Sequence, residues 1–182
     1  MAMTLITTNT SSNGASSDFT SSIDSTYKLY IFKFYDVNPA TNNVDLTFNG
    51  SIDGGSNYNV AKATTFFRAK HFEDDSDTAF NYEGGLDLAQ GTGFQTLMNS
   101  VASAADGSTA GILHLFSPSS TTYVKHFYAE FTANNYQADP GDYNNHTFIA
   151  GYFNDAGNDI DAVQFKMSSG NMDAVIKMYG VG

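Results

Sequence analysis

The stretch Tyr27–Tyr35 constrains the fold of this chain more than any other. Seven of its nine residues are aromatic or aliphatic, and neither Gly nor Pro interrupts them. Bulky flat and branched side chains fit a pleated strand better than a helix surface, so the stretch reads as a β-strand. Its alternation sets are Tyr27, Leu29, Ile31 and Tyr35 on one side and Tyr30, Phe32 and Phe34 on the other. A strand apolar on both faces has to be covered twice. One covering is a facing sheet plus a helix; the other is a facing sheet plus a neighbouring subunit. In the second case Tyr30, Phe32 and Phe34 are the candidate subunit interface.

Turn chemistry punctuates the rest. Val44, Leu46, Phe48 and Ile52 alternate with Asp45, Thr47, Asn49 and Ser51, which predicts a strand with one dry and one wet face. Gly50 falls on the dry set and marks a bulge or a close backbone approach. Asp53-Gly54-Gly55-Ser56-Asn57 is the sharpest turn signal, because Asp-Gly and Gly-Gly supply the positive φ angles of a tight hairpin. Further strands are expected over 5–7, 60–72, 80–82, 86–88, 112–116, 121–132, 147–153, 160–167 and 174–179. Polar runs at 8–18, 73–77 and 133–146 read as loops, and the last has the length of a functional or mobile one. Phe94, Leu97, Met98, Val101, Ala102 and Ala105 recur with the helical period between Gly91 and Gly107; this predicts a short helix near 94–105 over an open end of the sheets. Eight to ten strands at this spacing describe an all-β fold, an antiparallel, jelly-roll-like β-sandwich. With three Pro and no long low-complexity run, residues 1–182 read as a single domain.

Charge and composition narrow the function classes. A net charge of −11 with eight cations argues against nucleic acid, whose phosphates are bound by clustered Lys and Arg. No run approaches the roughly 20 apolar residues of a membrane helix, so no membrane partner is expected. The N-terminus lacks the basic head and apolar core of a secretory signal. The absence of Cys excludes disulfides, thiolate zinc sites and cysteine nucleophiles. His71, His114, His126 and His146 share no metal-ligand spacing. The acidic runs Glu73, Asp74, Asp75, Asp77 and 154–161 offer oxygens to a hard cation but lack the EF-hand order, and read as solvated turns. Glu73, Glu83 and Glu130 stand in no recognisable catalytic context. No nucleophile elbow, Walker loop or Rossmann glycine pattern occurs. No catalytic, cofactor-binding or metal residue is assigned, and no cofactor is expected. Aromatic residues make up 14% of the chain, all Tyr and Phe. They read as a sandwich core plus a sticky face; a sugar-stacking platform is the weaker alternative without Trp.

Several phrases together carry a resemblance: Phe19-Thr20-Ser21-Ser22-Ile23-Asp24-Ser25-Thr26-Tyr27, Asp53-Gly54-Gly55-Ser56-Asn57-Tyr58, Pro118-Ser119-Ser120-Thr121-Thr122-Tyr123-Val124-Lys125-His126-Phe127, and Ser169-Gly170-Asn171 leading to Ile176-Lys177-Met178-Tyr179-Gly180. From about Leu5 to Gly180 the chain resembles small β-rich virion proteins of tailed bacteriophages of marine bacteria, cyanophages among them. The resemblance implies a non-enzymatic structural protein of the virion, with no functional residues to carry over. A capsid decoration or cement protein on the outer head surface is the first expectation. It would associate as a homo-oligomer, a trimer or other cyclic assembly, and contact the major capsid protein or other virion proteins. The alternative is a tail fibre or receptor-binding protein whose loops at 73–78 and 133–146 touch host surface glycans.

Overall fold

The computed structural model describes residues 2–135 and 142–182, and every regular element among them is a strand. In chain order these are β1 (Met3–Gly14), β2 (Ser17–Phe19), β3 (Leu29–Pro39), β4 (Val44–Ser51), β5 (Lys62–Phe72), β6 (Thr78–Tyr82) and β7 (Ala89–Gly91). There follow β8 (Gln95–Val101), β9 (Thr109–Phe116), β10 (Lys125–Asn135), β11 (Tyr143–Phe153), β12 (Ala162–Met167) and β13 (Met172–Val181). All pairings between them are antiparallel.

The ladders form two runs. β1, β13, β3, β9, β10, β11 and β5 follow one another edge to edge, with β6 and β7 both paired to β5; β8, β4, β12 and β2 make the second run. The runs join where Asn135 of β10 pairs with Val101 of β8. At the other end the chain passes directly from β1 to β2, and Asn9 donates to the Asp18 carbonyl at 2.8 Å. The sheet is thereby nearly closed into a barrel.

Aromatic rings fill the interior. Phe165 of β12 meets Phe32 and Phe34 of β3 at centroid distances of 5.2 and 4.8 Å, and Phe48 of β4 meets Phe127 of β10 at 4.9 Å. Edge-on geometry dominates these pairs, as the ring quadrupoles favour. Gly50 is a close approach: a Cβ there would meet the Phe153 ring at 2.9 Å.

Tyr30, Phe32 and Phe34 all point inward, with exposures of 0%, 0% and 2% within the one chain. Their assignment as a subunit interface is corrected on this ground. Phe165 of β12 covers Phe32 and Phe34, and the Tyr30 hydroxyl is held by the Asp24 carboxylate at 3.0 Å.

The helix expected near 94–105 is strand β8, followed by irregular chain. β8 is irregular against β4: Val44 pairs with Val101, Leu46 with Met98 and Thr47 with Thr96. Each step leaves an extra residue on β8, and Ser100 takes a positive φ of 56°. Bulges change the phase of side-chain alternation, which lets Leu97, Met98 and Val101 all reach the interior and imitates a helical period. The polar loop expected at 8–18 is also mostly strand, since β1 runs to Gly14 along β13 and β2 begins at Ser17. An edge strand needs only its backbone for the ladder, and β-branched Thr suits it.

The turn at 53–57 is present, with Gly54 and Gly55 at φ 68° and 86°. It does not make a hairpin, because β4 pairs with β8 and β12 while β5 pairs with β11. Residues 86–88, expected as a strand, precede β7 instead. The loop expected at 133–146 is narrower, since β10 extends to Asn135 and β11 starts at Tyr143; its middle, 136–141, lies outside the described residues.

Candidate functional site

The set of the opening stretch that faces outward is the one holding Leu29, Ile31 and Tyr35. Leu29, Ile31, Lys33 and Tyr35 lie on the outer face of β3, and the strand register extends that face in rows. One row runs Leu5, Tyr179, Ile31, His114, Tyr128, Ala150, Thr65. The next runs Lys177, Lys33, Ile112, Glu130, Phe148, Phe67, Tyr82. These rows and their neighbours hold most of the exposed large apolar side chains: Met3, Leu5, Tyr35, Phe67, Phe80, Tyr82, Tyr128 and Phe148. The rings interlock across strands, with His114 stacked on Tyr128 at 4.4 Å, His146 against Phe148 at 4.4 Å and Phe67 edge-on to Tyr82 at 5.1 Å. A contiguous aromatic surface of this kind marks an interaction site more often than a scattered one does.

The face has relief. Over β10, β11 and β5 the floor is small, Ala63, Thr65, Ala150 and Gly151, and Phe116, His126, Tyr128 and Tyr152 rise around it to leave a hollow of about 440 Å³. A second hollow of about 260 Å³ lies beside it, bounded by Tyr128, Glu130, Phe148 and Phe67. At the β3–β13 side the surface is bulky and basic: Lys33 Nζ lies 5.4 Å from the Tyr179 ring and Lys177 Nζ 5.4 Å from the Tyr35 ring. Glu130 pairs with His146 Nε2 at 2.8 Å. Burial, with Lys33 adding to it, pushes the His114 imidazolium down, which keeps it neutral at pH 7.

The four histidines, unrelated in sequence, all belong to this face. His114, His126 and His146 lie in outward rows, and His71 pairs with outward Asn144. They are spread over its width, and among the described residues no three His, Cys, Asp or Glu side chains converge to hold a metal ion. The acidic run at 73–77 is tied to its own neighbourhood: Asp77 pairs with Lys70 at 2.8 Å and Asp75 with His71 at 3.1 Å. Glu83 pairs with Arg68 at 2.6 Å. In the 154–161 loop the carbonyls of Asp155 and Asn158 both accept from Lys125 Nζ, so an internal ammonium sits where a hard cation was considered.

Lys125 is wholly buried, a placement its sequence context did not suggest. Lys125→Met should cost about 2 kcal/mol in urea unfolding, the range for hydrogen bonds to a charged group. It should also speed amide exchange at 155–159; unchanged exchange there would show that the ammonium does not hold the loop.

Comparison of the chain with protein-family models, with curated proteins and with solved structures finds no match in any of the three.

Proposed function

We propose that this chain is a non-enzymatic structural protein of a bacteriophage virion, a capsid decoration or cement protein that associates through the outer face of its large sheet. The observation that carries the reading is that face: exposed rings of Tyr128, Phe148, Phe67, Phe80 and Tyr82 in register on adjacent strands of an otherwise strongly acidic chain. Such a surface suits docking onto another protein, where aromatic side chains anchor the contact. The resemblance of the quoted phrases to small phage virion proteins supports the same reading. Within it the fold is a two-layer, jelly-roll-like sandwich: the run β8, β4, β12, β2 forms the second layer, and Phe165 and Phe48 reach across to β3 and β10.

Symmetry multiplies decoration subunits, so purified virions should carry this chain at on the order of hundreds of copies on the head shell. Quantitative mass spectrometry gives the number and antibody labelling the position. A count of about a dozen or fewer, or label confined to the tail, would overturn decoration in favour of a tail component.

A further inference from the structure

We infer that the outer face of the large sheet is the contact surface for a second copy of this chain, related by a two-fold axis lying along β9. The inference deepens the proposed function and rests on its reading of this face as an interface.

Self-complementarity is written in the rows. In one of them Lys33, Ile112 and Glu130 are neighbours on β3, β9 and β10. A two-fold axis along β9 exchanges the two sides of that strand when a copy is laid face to face. Lys33 of each copy then stands over Glu130 of the other, and Ile112 meets Ile112. In the adjacent row the same operation carries Tyr179, two strands from β9, onto Ala150, two strands away on the opposite side. The bulky half of the face thus falls on the small-floored half, and the hollow of about 440 Å³ receives the Tyr179 ring. Isologous contacts require this kind of pairing, in which a patch is complementary to itself after rotation.

Charge agrees. Two chains of charge −11 repel each other over most orientations. Among the described residues Glu130 is the one carboxylate in these rows, and the axis sets it against a lysine.

The test is the oligomeric state of the purified full chain by sedimentation velocity at about 1 to 100 μM, concentrations that bracket a micromolar contact. Wild type should sediment as a dimer. Lys33→Glu and Glu130→Lys should each weaken the dimer about tenfold or more, by opposing like charges, while the double exchange restores it to within about threefold. Ala150→Arg, at an exposed position on the floor, should block the dimer without touching the charge pair. Circular dichroism establishes that each variant is folded. A wild type that is monomeric or trimeric, a dimer indifferent to these changes, or a double exchange that fails to restore association would each overturn the inference. A monomer in solution leaves decoration of virions standing, and a dimer absent from virions does the reverse, so the two readings fail separately.

Discussion

Phe165→Ala should lower the unfolding free energy by about 4 kcal/mol, the middle of the range for removing a buried phenylalanine. The Phe165 side chain is fully buried, and its ring lies 4.8 to 6.2 Å from those of Phe19, Phe32, Phe34 and Phe48. These four rings come from β2, β3 and β4, strands of both runs, so no single element can relax to fill the space. The lost burial and the lost edge-on ring contacts therefore add to the cost of a cavity. A chain of this size commonly has only 5–15 kcal/mol of stability, and about 4 kcal/mol corresponds to a fall in Tm of roughly 10 °C. Phe80→Ala is the control: Phe80 is 68% exposed on the outer face, and its loss should change stability by about 0.5 kcal/mol or less. Urea titrations of both variants check the inward and outward assignments together. A cost below about 1 kcal/mol for Phe165→Ala would mean that β12 does not cover β3 as described.

The contrast between Phe165 and Phe80 also shows how far the sequence carried. Both are single aromatic residues in alternating strands, and alternation does identify sets: Tyr30, Phe32 and Phe34 do share one face, and Leu29, Ile31 and Tyr35 the other. Alternation does not say which set is inside. That depends on which strands become neighbours, a property of pairings between residues as distant as Lys33 and Lys177. The composition of the outer face was invisible for the same reason, since no local spacing relates His114 to Tyr128, Ala150 and Thr65, which the register places side by side. β8 was misread because its bulges convert a two-residue period into an apparent helical one, and bulges follow from pairing rather than from propensity. β1 was legible only over 5–7; its extension to Gly14 was not, because its polar side chains carry no burial signal, while its backbone ladder to β13 asks for none. What local chemistry alone determines was legible: the turn at Gly54 and Gly55 and the close approach at Gly50.

Lys62 is the other residue whose surroundings only the fold reveals, and its effect is a pH dependence of stability. Its side chain is fully buried, and Nζ donates to Asn49 Oδ1 at 2.6 Å and to the Val60 carbonyl at 2.8 Å, with the Phe153 ring 5.5 Å away. Both acceptors are uncharged, and burial pushes the ammonium down to about 7. In the unfolded chain it titrates at its ordinary value of about 10.4. Between these values the unfolded chain binds a proton that the folded chain lacks, so stability rises with pH across that window and is flat with respect to this group below it. The full shift corresponds to about 5 kcal/mol, of which about 2 kcal/mol falls between pH 7 and 9, before tyrosine ionisation intervenes. Lys62→Met keeps the length and apolar stem of the side chain and removes the charge, and Asn49 Oδ1 still accepts from the Gly50 amide at 2.9 Å. The variant should therefore lose the rise between pH 7 and 9, and at pH 6 it should be at least as stable as the wild type. Urea midpoints for both proteins at pH 6, 7, 8 and 9 decide the matter: parallel curves would show that Lys62 keeps its ordinary affinity for the proton, and that the interior beside Phe153 is open to water.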